Sequence, residues 1–439
     1  MIPFSGYYSQ KEPRVDTFLT SVGPGSPCGE YMRRFWHPVM KTEDLSDLPK
    51  LLRHLGEDLV IFQDKSGRYG LVHKHCPHRN ASLEFGILTE QGIRCCYHGW
   101  EFDIDGTIIR APAESDDTRI RENVCLGAYP VKEFRGLIFA YLGPSEKRPE
   151  FPFYDTFEIE DGELVPYEVT MPCNWLQIAE NSMDPMHVVY LHTRVNIVQF
   201  TEKLGIHPST DYRERPYGLF YTKARRVKDF IWISTNDVIF PNFTQAGSVY
   251  NNTDGTQAKY FGRNSFTRWV VPVDDTHTSV LAFRHFNERT EPSSPESRTA
   301  EALERIDIGE LRSRPYEERQ RNPGDYEAFI GQGAIAPGNK MNLGESDEGV
   351  ILFRKRLRKE IRKVQKGKDP IQVSAVFSGR SVPTYGSDTV IRMPVNGSDD
   401  MPSIKALQKE VGDIYMAGDD YQSSERYRFL ETELSKLNR

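Results

Sequence analysis

The chain has 439 residues, enough for two domains with separate hydrophobic cores. Hydrophobic residues make up 38% and charged residues 27%, and the net charge of −7 leaves no basic excess for a nucleic-acid-binding surface. No run approaches the ~20 apolar residues that span a bilayer. The first residues lack the basic and apolar parts of a secretory signal. We therefore expect neither a membrane nor a nucleic-acid partner.

Six cysteines in a chain of this length are too few for a disulfide framework. They favour metal-binding or buried thiols, and with them a cytoplasmic location.

The first motif in chain order consists of two short Cys-His loops. Cys76 and His78 form C-x-H, sixteen residues (79–94) follow, and Cys95 and His98 then form C-x-x-H. The flanking segments alternate apolar and polar residues, which predicts that both loops lie at the tips of β-hairpins. Two thiolates and two imidazoles suit either a tetrahedral zinc ion or a [2Fe–2S] cluster with mixed ligands.

The order of the ligands favours the cluster. A zinc finger usually groups Cys with Cys and His with His. Here each loop contributes one of each, which suits a centre in which one iron takes both cysteines and the other takes both histidines. Cys96, beside Cys95, is predicted to be a bystander thiol, and Trp100 is predicted to cover the loop.

The second motif lies in the segment "NWLQIAENSMDPMHVVYLHT" (174–193). A helix is predicted over 174–183, and Pro185 suits the first turn of a second helix capped by Asp184. The bend between the two helices would turn His187 and His192 toward a common point. Two histidines and a distant carboxylate form the facial triad of mononuclear non-haem Fe(II) sites. The polar residues of the motif are Glu180, Asn181, Asp184, His187 and His192.

The remaining segments predict a sheet, a surface excursion and late helices. β-branched and aromatic residues predict the strands. Many charged residues and several prolines predict the surface excursion, and apolar residues repeating every 3.6 positions predict the helices. The strands fall in 218–245 and 264–286, the excursion in 288–322, and the helices in 343–364 and 404–439.

Both motifs, in this order, resemble the catalytic α subunit of the Rieske non-haem iron oxygenases, and are most similar to its phthalate-dioxygenase-like branch. The resemblance runs from residue 29 to about 365. It implies an α+β fold, in which an antiparallel-β Rieske [2Fe–2S] domain precedes a helix-grip (START or Bet v 1-like) catalytic domain. The implied divisions are an N-terminal helical segment at 1–34, a Rieske domain at 35–150, and a catalytic domain at 151–439 that includes the excursion and a C-terminal helical tail.

The resemblance also implies the site residues. Cys76, His78, Cys95 and His98 would hold the cluster. His187, His192 and Asp347 would hold the mononuclear Fe(II), because Asp347 stands just before a long late helix, as the family's ligand does. The main alternative to Asp347 is Asp325, followed by Glu327 and Asp307, and a helix-capping role would explain Asp347 without a metal.

Two further residues are candidate catalytic residues by resemblance. Asp184 would bridge a Rieske histidine of one subunit to an iron-ligating histidine of the next, and Asn181 lies beside it in the motif. A carboxylate that accepts an imidazole N–H orients the ring and raises its basicity. Capping of the second helix by Asp184 is the competing role.

The implied protein is the terminal oxygenase of a multicomponent system, a homotrimer or hexamer. It would use O₂ and electrons that an NADH-dependent reductase (flavin and/or ferredoxin) delivers to dioxygenate an aromatic substrate, expected to be a carboxylate. Arg194, just after His192, could pair with such a group. The alternatives are a Rieske monooxygenase or O- or N-demethylase, a non-catalytic Rieske electron carrier, and a zinc protein.

Overall fold

The computed structural model describes residues 3–7, 12–115, 119–158, 162–193, 198–247, 255–263, 266–286, 294–308, 311–395 and 400–438. Within these ranges no helix combines the length and the apolar character needed to cross a membrane. The α-helices are α1 (Thr17–Thr20), α2 (Pro27–Met32), α3 (Ile120–Asn123), α4 (Trp175–Asn181), α5 (Met186–Tyr190), α6 (Ala300–Ile308), α7 (Tyr316–Arg321), α8 (Asp325–Ile330), α9 (Glu348–Gln365), α10 (Val373–Val376), α11 (Met401–Ala417) and α12 (Ser423–Ser435).

The strands of the N-terminal half are β1 (Trp36–Lys41), β2 (Lys50–His54), β3 (Glu57–Gln63), β4 (Tyr69–His73), β5 (Ile87–Thr89), β6 (Gly92–Arg94), β7 (Glu101–Phe102), β8 (Ile108–Arg110), β9 (Ala128–Tyr129), β10 (Val131–Phe134) and β11 (Leu137–Tyr141). The later strands are β12 (Glu163–Met171), β13 (Ser209–Arg215), β14 (Gly218–Val227), β15 (Phe230–Ile239), β16 (Phe243–Gln245), β17 (Lys259–Arg263), β18 (Phe266–Pro272), β19 (Thr278–Phe286) and β20 (Ser387–Arg392).

Three small antiparallel sheets build the N-terminal half. Their strand orders are β1-β11-β10, β2-β3-β4-β9 and β5-β6-β7-β8. The loop after β4 carries Cys76, and the loop between β6 and β7 carries Cys95, so both Cys-His loops connect strands as predicted. Cys76, Cys95 and Trp100 belong to one buried apolar cluster with residues of β3, β4 and β6.

A single antiparallel sheet organises the C-terminal half. Its main order is β12-β19-β18-β16-β15-β14-β13, and β20 pairs with β15 and β17. Alternate residues of β14 enter different cores: Leu219 and Tyr221 pack in the cluster that contains α4 and α9, whereas Phe220 and Ala224 pack with α11 and α12. Side chains alternate across a strand, so the sheet is covered by helices on both faces. The predicted α+β fold is confirmed.

The late helices follow their sequence periodicity. In α9, Val350, Phe353, Leu357, Ile361 and Val364 are buried, and each contributes about 1.5–3 kcal/mol of transfer free energy. The predicted C-terminal helices form as α11 and α12. They pack on β14 and β17 of the same chain, where they cover the outer face of the sheet.

Histidine 37 lies at the junction of the two halves. His37 Nε2–H donates to the Met32 carbonyl (2.8 Å), and Nδ1 accepts from the side-chain amide of Asn242 (3.1 Å). The same amide donates to the Val270 carbonyl (2.9 Å), which fixes its orientation. The buried ring is therefore satisfied in its neutral form, and burial lowers the pKa of His37 to about 4.

Candidate metal centres

The first Cys-His loop is closed by its own backbone. The Cys76 N–H donates to the Ala81 carbonyl, and the Asn80 N–H donates back to the Cys76 carbonyl, both at 2.9 Å. Asn80 has a φ of 57°, the left-handed conformation that Asn tolerates better than most residues. The result is a tight turn that holds the Cys76 thiol inward.

The second loop repeats this arrangement at equivalent positions. The Cys95 N–H donates to the Trp100 carbonyl (2.7 Å), and the Gly99 N–H donates to the Cys95 carbonyl (3.1 Å). Gly99, four residues after the cysteine like Asn80 in the first loop, has a φ of 73°. Two turns of the same construction therefore present the two Cys-His pairs.

The thiols lie inside and the imidazoles outside. Cys76 and Cys95 are buried, whereas His78 and His98 are partly exposed and their rings lie 4.6 Å apart, centroid to centroid. The His78 ring stacks on Trp100 at 4.6 Å with an interplanar angle of 2°, so Trp100 covers the centre as predicted. This separation of ligand types suits one iron bound by cysteines and a second bound by histidines.

Two observations at these loops fit a bound cluster. Burial raises the pKa of the Cys76 thiol to about 11, and the nearby Cys95 adds to the effect. Two such thiols become thiolates when cations lie between them. His78 Nδ1 is buried and makes no hydrogen bond within the part of the chain that the structure describes, which leaves its lone pair for a metal.

A second set of ligand-capable side chains meets between α5 and α8. The donor atoms of His187, His192 and Asp325 all lie within 4.8 Å of one another. The two imidazole centroids are 5.3 Å apart, and His192 Nε2 is 3.5 Å from an Asp325 carboxylate oxygen. Two histidines and one carboxylate are the donor set of non-haem Fe(II) sites. They occupy one face of the metal and leave the remaining coordination positions open.

Charge compensation in this set depends on the histidines. Burial alone would raise the pKa of Asp325, but the charge and hydrogen bond of His192, followed by His187 and Arg268, outweigh it, and the pKa lies below its usual range. The Asn181 side-chain amide donates to the other Asp325 oxygen (3.4 Å). Asn181 therefore positions the carboxylate.

The expectation that Asp347 completes the triad is wrong in this structure, because the residue at that place is Asp325. The Asp347 carboxylate accepts the Gly344 N–H (2.7 Å), which is the local helix-start role that needs no metal. Both residues lie at the start of a helix, but only α8 directs its first residue toward the histidines. Asp325 and Phe329 are four residues apart and both buried, so the carboxylate shares the apolar face of α8.

Asp184 lies directly beside His187. One of its oxygens accepts the backbone N–H of Met186 (2.8 Å) and of His187 (3.3 Å), and the other lies 3.6 Å from His187 Nδ1. Burial alone would raise the pKa of Asp184, but its hydrogen bond and charge interaction with His187 hold it below the usual range. The carboxylate therefore both caps the start of α5 and contacts the imidazole.

Gln199 is a site residue that the sequence analysis missed. Its side-chain carbonyl oxygen lies 2.5 Å from His192 Nδ1. With Nδ1–H donating to Gln199, Nε2, the atom that faces Asp325, is the nitrogen that gives up its proton when a metal binds. No spacing rule relates a glutamine to a histidine seven residues before it, so only the folded chain identifies this contact.

Three comparisons relate this chain to known proteins. A family model described as the Rieske [2Fe-2S] domain matches residues 35–134. The oxygenase subunit of tert-butanol monooxygenase / tert-amyl alcohol desaturase from Aquincola tertiaricarbonis is 42% identical, over 85% of this chain and 82% of that protein. Phenoxybenzoate dioxygenase subunit alpha from Ectopseudomonas oleovorans is 36% identical, over 83% of this chain and 89% of that protein. Dicamba monooxygenase bound to dicamba shares the fold, with a TM-score of 0.58 and 16% identity over 77% of this chain and 100% of that one.

A Rieske domain followed by a sheet-and-helix domain with a 2-His-carboxylate set defines the terminal oxygenase of a Rieske system. The chain belongs to the Rieske non-haem iron oxygenases, as a catalytic α subunit. It is an enzyme whose cofactors are a Rieske [2Fe–2S] cluster and mononuclear Fe(II), with O₂ as co-substrate. The predicted family, fold and cofactors are confirmed, and the zinc-protein and electron-carrier alternatives are not.

Proposed function

We propose that this chain dioxygenates a small aromatic carboxylate, using electrons that an NADH-dependent reductase (flavin and/or ferredoxin) delivers. The observation that carries the oxygenation step is the approach of His187, His192 and Asp325 to within 4.8 Å. Phenoxybenzoate dioxygenase, a relative that covers most of the chain, is named for an aromatic carboxylate. Arg194, the sequence candidate for binding such a group, lies outside the described residues.

In this proposal Cys76, His78, Cys95 and His98 hold the cluster, and His187, His192 and Asp325 hold the Fe(II). When bound, the cluster supplies single electrons and the mononuclear iron supplies the position at which O₂ reacts. Gln199 and Asn181 orient the His192 ring and the Asp325 carboxylate. Phe200, whose ring centroid is 4.9 Å from that of His192, limits water at the site.

The electron path in the proposal runs between subunits through Asp184. Its carboxylate contacts His187, and its side chain is 27% exposed, so a neighbouring chain can reach it. His98 is partly exposed beside the exposed Tyr97, on the Rieske surface that would dock there. The assembly this requires is a homotrimer or a hexamer. A cytoplasmic location is part of the proposal, because cysteines stay reduced there.

Metal and sulfide analysis, with EPR of the dithionite-reduced protein, tests the proposed ligands. We expect about three irons per chain, with a Rieske-type signal from two of them. An Asp184→Asn variant should keep all the iron and lose turnover, because the amide still accepts the helix N–H groups but carries no charge. Asp347→Asn, at another helix start, should behave as the unaltered protein. Turnover retained in Asp184→Asn, or two irons per chain, would overturn the proposal.

Insertion of a single oxygen atom is the second candidate, together with demethylation. It is favoured by the relative of 42% identity, which is named as a monooxygenase and desaturase. The ligand set is common to both outcomes. Turnover under ¹⁸O₂ separates them, because dioxygenation places two labelled atoms in the product and monooxygenation places one there and one in water.

A further inference from the structure

The inner face of the catalytic sheet carries two deeply buried cations. Lys223 and Arg225, two residues apart on β14, are 5% and 1% exposed. They lie on the same face as Leu219 and Tyr221, which pack in the cluster that contains α4 and α9. Burying a cation without a partner is costly, so two on one strand require an explanation.

Arg225 lacks acceptors for most of its donors. Its Nε–H donates to the Ile206 carbonyl (3.0 Å), and its guanidinium lies 5.6 Å from the centroid of the Trp232 ring. Nη1 and Nη2 are buried and have no hydrogen-bond acceptor among the described residues. Burial lowers the pKa of Arg225 to about 10, so the group remains a cation at neutral pH.

Lys223 also makes few hydrogen bonds. Of its three donor positions, one reaches the side-chain oxygen of Asn236 (2.7 Å). Burial, and after it the neighbouring Arg225, lowers the pKa of Lys223 to about 7. Ser234, its cross-strand partner on β15, has a buried hydroxyl with no partner in the described ranges. Together these groups form a row of polar atoms that face inward.

One carboxylate faces the pair. Asp388 lies opposite Ser234 on β20, and one of its oxygens accepts the Trp232 indole N–H (2.7 Å). Asp184 also acts on Lys223 through its charge, but its oxygens are directed to α5. Neither Asp388 nor Asp184 hydrogen-bonds to Arg225 Nη1 or Nη2. Both Nη atoms can therefore donate to a further anion.

The cations adjoin the iron ligands. Asn236, which accepts from Lys223, donates its own amide to the Ser182 carbonyl (3.2 Å), between α4 and α5. Trp232, beside Arg225, shares an apolar cluster with Val188 and Phe200. Val188 follows the ligand His187, and the Phe200 ring contacts His192. Asn236 and Trp232 thus connect the pair to the segment that carries the two histidines.

We propose that Lys223 and Arg225 form the subsite that binds the carboxylate of the substrate. The two Nη groups of an arginine match the two oxygens of a carboxylate, and a lysine supplies a second charge. This inference rests on the proposed function, because it takes the substrate to be the molecule that binds beside the triad. It names the feature of the substrate that the chain recognises: an anionic group held at a fixed position relative to the iron.

Calorimetric binding to the iron-loaded protein tests the subsite without turnover. The probes are benzoate and 3-phenoxybenzoate, each compared with its neutral amide. At least one acid should bind about tenfold or more tightly than its amide, the effect of a charge-assisted hydrogen bond. Arg225→Met and Lys223→Met should each remove that preference and leave amide binding unchanged.

The control is Arg226→Met. Arg226 is the next residue of β14 and faces the other way, where it hydrogen-bonds to the Asp400 carboxylate and the Met393 carbonyl. This variant should keep the preference for the acid. Thermal unfolding adds a second readout: Arg225→Met should be as stable as the unaltered protein or more so, because an uncompensated buried charge is removed. A structural arginine would instead lower the melting temperature when replaced.

The outcomes separate this inference from the proposed function. If neither acid binds more tightly than its amide, or if the preference survives in Arg225→Met, the subsite is overturned while iron analysis can still support the oxygenase. If the preference is found but the third iron is missing, the anion site stands and the proposed oxygenation fails. Arg225→Lys, which keeps the charge, should retain part of the preference if Arg225→Met proves too unstable to assay.

Discussion

The two metal-binding regions are built in different ways. In the Rieske loops, backbone hydrogen bonds within six residues set each Cys-His pair, and the two loops use the same pattern. In the catalytic domain, the proposed ligands come from α5, the turn after it and α8, and side chains such as Asn181 and Gln199 hold them. The first centre is fixed by local structure and the second by tertiary packing.

The two centres also differ in exposure, in accordance with the molecules that must reach each one. His78 and His98 lie at a partly exposed tip, where a redox partner or a second subunit can approach. His192 and Asp325 are buried, which suits a site that admits O₂ and substrate while limiting water. Local turns suffice to present ligands at a surface, whereas a buried site needs a packed shell.

The largest expected effect comes from the carboxylate of the triad. Asp325→Ala should reduce iron from about three to about two per chain and abolish turnover, because loss of a ligand exceeds the about 10–100-fold effect of outer-shell changes. Asp347→Ala should keep the iron and lose about 1 kcal/mol of stability, the value of a helix-start hydrogen bond. Iron analysis and O₂ uptake measure both. Loss of iron in Asp347→Ala alone would reverse the assignment.

The Rieske loops give a similarly sharp contrast between neighbours. Cys95→Ala should eliminate the Rieske EPR signal and leave the mononuclear iron in place, because the two centres are held by separate elements. Cys96→Ala should change neither, since its thiol is exposed and points away from the buried pair. If the EPR signal persisted in Cys95→Ala and disappeared in Cys96→Ala, Cys96 and not Cys95 would be the cluster ligand.

A smaller effect is expected from the packed shell of the second centre. Gln199→Leu removes the acceptor for His192 Nδ1 and should weaken Fe(II) binding by about 10–100-fold, while the Rieske signal is unchanged. Competition with a chelator measures the affinity. Gln199→Glu, which keeps an acceptor, should bind iron nearly as well as the unaltered protein. Equal affinities for all three forms would mean that packing alone orients the ring.

The smallest effect concerns the junction between the regions. His37 stays neutral in the folded chain, where its pKa is about 4, but binds a proton below about 6.5 when unfolded. Neutral His37 therefore makes its full contribution to the free energy of unfolding above about pH 6.5. That contribution is lost as the pH falls toward 4, and the loss by pH 5 is on the order of 2 kcal/mol. Denaturant unfolding at pH 7 and pH 5 should show a smaller loss in His37→Gln. The same loss in both proteins would place the titration elsewhere.

Sequence patterns sufficed where the ligands are local. Cys76, His78, Cys95 and His98 fall within two short segments, and His187 and His192 within one, so spacing was enough to propose them as ligands. The apolar stripe of α9 and the strands β14, β15, β16, β18 and β19 were predicted for the same reason, because periodicity is a short-range property.

Asp325 and Asp347 show where spacing fails. Each begins a helix late in the chain, and their local sequences give each a plausible capping role. Which of the two meets the histidines depends on whether α8 or α9 directs its first turn toward α5, and neighbouring residues do not record that choice. The resemblance favoured Asp347, and the packing of α8 selects Asp325.

Lys223 and Arg225 make the same point for the sheet. By itself the sequence determined that alternate residues of β14 share a face, because the pleat has a period of two. A strand pattern with Lys and Arg on one face ordinarily puts that face in water. Here α11 and α12 cover the apolar face of the sheet, and α4 and α9 cover the face that carries the two cations. Only the tertiary structure decided that the two cations are enclosed beside the iron ligands, because burial depends on which distant helices pack against each face.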